Sequence, residues 1–192
     1  MKKSTRNLGI IATVLGLSTL LLIGLRFDAT FAGGPGFKPH TPFALNDTEV
    51  TRGNILTTSD AFAIATHAEA TLYLDKNTRL HFDDGREEQL KLTLEDGRMF
   101  GDGKFTISSR DTKITINGRA TIVHYPWDNT LSVLLFSGTG VMNHKGVETN
   151  LSTGGAMSVN TLEKDALPRI VDFSITAPAV VDFYLFVNEN DR

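Results

Sequence analysis

The stretch Lys104–Tyr125, KFTISSRDTKITINGRATIVHY, decides the fold because apolar and polar residues alternate along it. Apolar residues recur at every second position, first at Phe105 and Ile107 and again at Ile114 and Ile116. In a β-strand successive side chains point to opposite faces, so this period places the apolar residues on one face. The stretch therefore predicts half-buried β-strands whose inward side chains form a core.

The same two-residue period recurs along most of the chain after Phe43. It is clear in Leu90–Leu94, in Leu131–Leu135 and in Val181–Val187, each of which is predicted to be a strand. The stretch Ser59–Leu72 alternates as well and predicts two short strands, with a helical turn as the alternative. No segment after Phe43 has a convincing amphipathic helical pattern.

Short glycine- or asparagine-containing sequences separate these runs. They are DDG at 83–85, EDG at 95–97, GDG at 101–103, NG at 117–118, WDN at 127–129 and HKG at 144–146. Asn-Gly and Asp-Gly supply the positive φ angles that tight hairpins need, so we expect turns at these positions. Strands spaced by about 8–12 residues are typical of a sandwich, roll or barrel. We therefore predict an all-β fold, an antiparallel β sandwich or roll.

Composition excludes several classes of function. The chain has 192 residues, a net charge of -3 and no cysteine. The absence of cysteine excludes disulfides, thiolate catalysis and cysteine-type zinc sites. The slightly acidic charge provides no basic field for nucleic acid, so we expect no nucleic-acid partner.

The N-terminal sequence predicts that the protein is located in the cell envelope. Lys2, Lys3 and Arg6 precede Leu8–Leu25, a run without a charged residue that is close to the length needed to cross a bilayer. Basic residues on its N-terminal side predict that the rest of the chain lies outside the cytoplasm. A signal peptide cleaved after Ala32 is the alternative, although the run is longer than the usual apolar core of about 7–15 residues.

The sequence thus divides into five predicted segments. They are a cytoplasmic tail (1–7), a transmembrane anchor or uncleaved signal (8–27), a Gly/Pro linker (28–42), a β domain (43–167) and a C-terminal β segment (168–192). The linker is assigned because glycine and proline sustain neither a helix nor a sheet ladder.

The order and spacing of several motifs resemble the FecR-like domain. These motifs are ATLYLDKNTRLHF (70–82), LKLTLEDGRMF (90–100), the stretch 104–125, LSVLLFSGTGVM (131–142) and TNLSTGGAMSV (149–159). The resemblance extends over roughly 46–159, most of the segment predicted to be exported. It implies an exported β domain of the kind that ferric-citrate signalling regulators carry.

The resemblance also bears on the partner. The signalling regulators of that family bind a sigma factor through a cytoplasmic segment. Here Met1–Asn7 alone is predicted to lie inside, and seven residues are too few for a stable helical module. We therefore expect that the chain does not bind a sigma factor. We expect instead that the N-terminal helix anchors it in the membrane and that it binds a protein partner in the envelope.

One loop carries the candidate binding residues. In HYPWDN (124–129), Tyr125 and Trp127 are predicted to lie at a strand end and in the following loop. Exposed aromatic residues on rigid turns are common anchors for protein or carbohydrate ligands. The alternative is that Trp127, the only tryptophan, covers the open end of the core.

No motif indicates a metal, a cofactor or a catalytic centre. The five histidines are His40, His67, His81, His124 and His144. No two of them have the two-, three- or four-residue spacing of a local ligand pair, and they are interpreted as isolated surface or edge residues. Acid–base hydrolysis would need two carboxylates facing each other across a cleft, which a sequence does not identify.

The sequence therefore predicts a membrane-anchored, extracytoplasmic, non-catalytic binding or scaffolding protein. One alternative is an envelope lipid- or glycolipid-transfer protein, which would need a continuous apolar groove between two sheets. The other is an enzyme acting on cell-wall glycan, which would need opposed carboxylates near Trp127.

Overall fold

The computed structural model describes residues 43–45, 48–67, 70–85, 90–163 and 165–191. The predicted tail, anchor and linker lie outside these residues. Within the described ranges, no helix is long and apolar enough to cross a bilayer.

Twelve strands and one helix are formed by the described residues. The strands are β1 (Phe43–Leu45), β2 (Thr48–Val50), β3 (Ile55–Thr57), β4 (Ala63–His67), β5 (Ala70–Leu74), β6 (Arg79–Asp84), β7 (Leu90–Ser109), β8 (Thr112–Tyr125), β9 (Thr130–His144), β10 (Val147–Leu151), β11 (Ala156–Asn160) and β12 (Arg169–Val171); the helix is α1 (Val181–Asn190).

All strand pairs are antiparallel. The main order is β12-β11-β9-β8-β7-β5-β4-β1-β2, while β10 pairs with β9, β6 with β7, and β3 with β6. The prediction of an antiparallel all-β fold is confirmed for the described residues except for one short C-terminal helix. The two short strands predicted within Ser59–Leu72 are also present, as β4 and the start of β5.

A row of three glycines divides the long central strands. Gly103 of β7 pairs with Gly118 of β8, which pairs with Gly138 of β9, and all three have positive φ. On one side of the row β7 pairs with β5 and β9 pairs with β11; on the other side β9 pairs with β10. Glycines with positive φ let strands change direction. At this row, the strands that flank the long central strands therefore change.

The predicted inward residues do form the main core. Leu92, Phe105, Ile116 and Val133 are all completely buried and belong to one cluster of mostly Leu, Ile, Val and Phe side chains. This cluster is filled by side chains from β2 to β11, as expected for strands with one apolar face.

Three of the predicted turns are wrong. The glycines of EDG and GDG lie inside β7, and the Asn117-Gly118 pair lies inside β8. The positive φ angles were expected correctly: Gly97, Gly103 and Gly118 all have them. They interrupt long strands instead of ending them, because neighbouring strands continue the ladder past these positions.

The prediction of a strand over Val181–Val187 is wrong as well. Residues 181–190 form α1, in which Phe183 and Val187 are buried and Leu185 is 54% exposed. The buried residues are four positions apart, which is the spacing of one helical face, whereas a strand would bury alternate residues. The C-terminal segment therefore contains one short strand, β12, followed by a helix.

Candidate functional site

The predicted binding residues lie at the tip of the β8–β9 hairpin. Tyr125 is the last residue of β8, and Trp127 lies in the four-residue turn before β9. The backbone N–H groups of Asp128 and Asn129 donate to the carbonyl oxygen of Tyr125, at 3.3 and 3.1 Å. Asn129 adopts a positive φ of 54°, and the Asp128 carboxylate accepts from the N–H of Thr130. The turn is thus fixed by its own hydrogen bonds.

Trp127 projects into solvent. Its side chain is 79% exposed, and its ring stacks on that of Tyr125 with centroids 6.0 Å apart and planes inclined by 21°. Trp127 therefore does not cover the end of the core, which was the alternative interpretation of the sequence. We refer to Tyr125 and Trp127 as the aromatic tip.

A buried ion pair holds the aromatic tip from below. The Arg98 side chain is only 8% exposed; its Nη2 donates to the Tyr125 hydroxyl and its Nη1 to the Asp75 carboxylate, both at 3.2 Å. Burial raises the pKa of Tyr125, so its hydroxyl stays protonated. Since an arginine fork is planar and rigid, these bonds fix the ring on which Trp127 stacks.

Asp75 and Arg98 are themselves positioned by neighbouring backbone. The Thr58 hydroxyl donates to the Asp75 carbonyl, at 2.5 Å, and the Thr78 hydroxyl donates to the Arg98 carbonyl, at 2.9 Å. Burial raises the pKa of the Asp75 carboxyl, and this outweighs the opposing effects of the Lys76 N–H and the Arg98 guanidinium. Neither Arg98 nor Asp75 stands out in the sequence, because the two residues meet only through strand pairing.

A second aromatic surface lies on the opposite face of the sheet from the main core. Tyr73 lies between Leu72 and Leu74, whose side chains belong to the core, and it pairs with Phe100 of β7. The outer aromatic cluster consists of buried Tyr73, Phe100, Phe183 and Val187, with Phe62, Ile64, Phe136, Tyr184 and Phe186 packed against them. The sheet is therefore covered here by α1.

Hydrogen bonds reinforce this docking of α1. The Tyr184 hydroxyl donates to Thr121 Oγ1, at 3.0 Å, and the Tyr73 hydroxyl donates to the Asn190 carbonyl, at 3.1 Å. Arg119 of β8 forms an ion pair with Asp191, just beyond the helix. These contacts tie both ends of α1 to the sheet.

The described histidines are less exposed than the isolated surface or edge positions predicted for them. His67, His124 and His144 are buried, while His81 is partly buried and bonded to Asp83. Within the described ranges, no three His, Asp or Glu side chains lie close enough to hold a metal ion. His40 lies outside the described residues.

Two of these histidines have a buried, unpaired ring nitrogen. The Nδ1 atoms of His124 and His144 bond to the Glu95 carbonyl (2.9 Å) and the Thr112 hydroxyl (2.7 Å), but their Nε2 atoms have no hydrogen-bond partner. Burial lowers the pKa of both histidines. Their arrangement is that of neutral side chains enclosed in the fold.

The comparisons with known proteins identify a similar fold but no family. No family model matches the sequence, and no curated protein does. Two crystal structures of a protein from Parabacteroides distasonis ATCC 8503, named "putative anti-sigma factor", superpose with a TM-score of 0.53 and 13% identity. The match covers 62% of this chain, and this chain covers 60% of theirs, less than two thirds of that protein's length. At this identity the likeness is one of fold.

Proposed function

We propose that this chain is a membrane-anchored, extracytoplasmic binding protein that performs no catalysis and contacts a protein partner of the cell envelope through the aromatic tip. The single observation that carries the proposal is the exposure of Trp127 on a ring that the Arg98–Asp75 pair holds in place. A large aromatic side chain that is already fixed loses little entropy on binding, which is the property of an interface anchor.

The envelope location rests on the sequence. The charge-free run Leu8–Leu25 follows three basic residues, the pattern of an N-terminal anchor whose following domain is exported. The motifs that resemble the FecR-like domain agree with an exported domain. The Parabacteroides protein of similar fold is named "putative anti-sigma factor", and we infer by analogy of fold that the partner here is a regulatory protein rather than a small substrate.

No sigma-factor contact is part of the proposal. Within the described ranges α1 is the one helix, and its buried face is occupied by the sheet. The partner is expected on the side of the membrane where the β domain lies.

Two observations favour binding over the alternative functions. The main core is filled by its own side chains, whereas lipid transfer between sheets needs a continuous open groove. Of the three carboxylates whose charge acts on Tyr125, those of Asp75 and Asp128 are engaged by Arg98 and by the Thr130 N–H. That leaves Asp96 alone, whereas glycan hydrolysis needs two carboxylates free to act on a substrate.

The test uses photo-crosslinking in intact membranes. A photoreactive phenylalanine analogue replaces Trp127 in one variant and Leu162, which is 59% exposed, in a matched control. We expect one dominant envelope protein to be linked at position 127 and not at 162. Binding of that purified protein to Trp127→Ala should then weaken by at least about 2 kcal/mol, since exposed aromatic anchors contribute about that much.

Two results would count against this function. Equal crosslinking at both positions would show that the aromatic tip does not direct the contact. Unchanged affinity of Trp127→Ala for the captured protein would show that the contact does not depend on the indole ring.

A further inference from the structure

A cavity of about 390 Å³ lies between the outer face of the sheet and the C-terminal segment. Phe100 and Phe136 form its floor, while Ile175 and Tyr184 approach from the segment that contains α1. Pockets that bind small molecules are typically about 300–1,000 Å³ and mainly apolar, so both the size and the lining are those of a ligand site. No residue of the main core or of the aromatic tip lines the cavity.

The cation that lines the cavity already faces two carboxylates. Arg119 and Asp191 both line it and form an ion pair with each other. A second carboxylate, that of Asp102, lies 3.8 Å from Arg119 Nε, an electrostatic contact too long for a hydrogen bond. The Arg119 guanidinium also lies over the Phe100 ring, 5.4 Å from its centroid. An anionic ligand would have to compete with two carboxylates for this one cation.

The aromatic walls indicate the shape of the ligand. The Phe100 and Phe136 rings lie 5.6 Å apart at 53°, and the Phe136 and Tyr184 rings lie 6.5 Å apart at 62°. Tilted rings at these distances contact one another, so they form a continuous aromatic wall whose remaining faces and edges line the cavity. The cavity volume lies near the lower end of the range for small-molecule pockets, which suits a ligand of one or two rings.

We propose that this cavity binds a small, uncharged aromatic molecule. The rings supply the apolar contact, and the Arg119–Asp191 pair offers a neutral polar edge at which a single N–H or hydroxyl can bond. Because α1 forms one wall, such a ligand also strengthens the contact between α1 and the sheet. The residues that line this site differ from Tyr125 and Trp127, the residues of the proposed partner surface.

The test uses indole as the probe on the full chain in lipid nanodiscs. The sequence has no cysteine, so Ile175→Cys introduces the only thiol, within the cavity wall. We expect indole to slow its alkylation by a maleimide saturably, by about tenfold when indole is present at ten times its Kd. Ile170→Cys, at an 81% exposed position outside the cavity, is the matched control and should react at the same rate with or without indole.

Two further measurements make the result decisive. Thr176→Cys, also in the cavity wall, serves if circular dichroism shows that Ile175→Cys is misfolded. Indole-3-carboxylate should protect about tenfold more weakly than indole, because its charge meets the two carboxylates around Arg119.

Several outcomes would overturn the proposal. These are no saturable protection at either position 175 or 176, equal protection at position 170, or stronger protection by the carboxylate than by indole. Alkylation that is slow at 175 and 176 even without indole would also overturn it, because the cavity would then be filled by another segment or protein.

Discussion

Gly118 and Gly138 face each other across β8 and β9 at a point where neither has room for a side chain. A Cβ at Gly118 would lie 2.2 Å from the Ser137 carbonyl oxygen, and a Cβ at Gly138 would lie 2.2 Å from the Asn117 carbonyl oxygen. Both also have positive φ, at 143° and 88°, a region that other residues rarely adopt. This pair therefore requires glycine for two separate reasons, conformation and space.

Gly118→Ala should destabilise the fold by more than the strain of its φ alone. Gly154 provides the matched control, because it has a positive φ of 77° but open space around its Cβ position. Strained backbone costs about 1–3 kcal/mol, and Gly154→Ala should lose no more than that. In urea unfolding followed by circular dichroism, we expect Gly118→Ala to lose clearly more. Equal losses would show that the close approach of the two strands contributes nothing.

His124 makes stability depend on pH. Burial, followed by the charge of Arg110, lowers its pKa against the opposing effects of the Glu95 carbonyl, Asp96 and Asp128. The unfolded chain therefore binds a proton at a higher pH than the folded chain, and folding loses stability as pH falls through the unfolded pKa of about 6.5.

We expect the His124→Gln variant to show a weaker decline in stability on acidification. The difference in slope should approach, at most, about 1.4 kcal/mol per pH unit below the unfolded pKa. Unfolding free energies measured between neutral and mildly acidic pH would reveal it, and the two slopes should coincide at alkaline pH. Identical slopes throughout would mean that His124 is protonated equally in both states.

At the residue scale, the sequence predicted the backbone conformation of single residues better than their place in the fold. The positive φ of Gly118 follows from Asn-Gly chemistry, but its place inside β8 depends on β7 and β9 continuing beside it. Arg98 gave no local signal, because its partner Asp75 is 23 residues away and is brought near only by strand pairing. Trp127 was predicted as a binding residue from its place in a loop. The sequence left open whether its side chain is exposed or covers the end of the core.

Among the elements, α1 depends most on what it packs against. A helix of ten residues is marginal alone in water, so its stability comes from the outer aromatic cluster. Two apolar patterns compete in this segment. The helical spacing joins Val180, Phe183, Tyr184 and Val187, and the two-residue period of a strand joins Val181, Phe183, Leu185 and Val187. Both patterns share Phe183 and Val187, and the packing surface of the sheet selects the helix.

Phe183→Ala should release α1 from the sheet. Phe183 is 1% exposed and contacts the rings of Phe62 and Tyr184, so its truncation is expected to cost about 3–5 kcal/mol. Leu185→Ala on the exposed face should cost less than about 0.5 kcal/mol. Urea unfolding and the rate of proteolysis of the C-terminal segment would report both. Similar values for the two variants would show that α1 is not held by its buried face.

For the whole molecule, the fold class was predictable because the two-residue period is clear in parts of the long strands, such as Leu90–Leu94 of β7 and Thr112–Ile116 of β8. The exchange of partners at the glycine row was not, since it depends on which strands lie beside each half of β9. The envelope address concerns residues outside the described ranges and stays a prediction.

Reporter fusions would test that address. Alkaline phosphatase fused after Arg192 should be active, because the enzyme needs export, and deletion of Leu8–Leu25 should abolish the activity. A fluorescent reporter that works only in the cytoplasm, fused at the same position, should be dark on the full chain and fluorescent after the deletion. Activity that persists after the deletion would contradict an exported domain.

The exposed position of Trp127 also determines what spectroscopy of this protein can observe. It is the only tryptophan in the chain, and its indole is already surrounded by water in the folded state. Its emission therefore lies at long wavelength before any denaturant is added and shifts little when the β core melts. The same dye-free signal should respond strongly when another molecule covers the hairpin, so intrinsic fluorescence reports on association and hardly at all on folding.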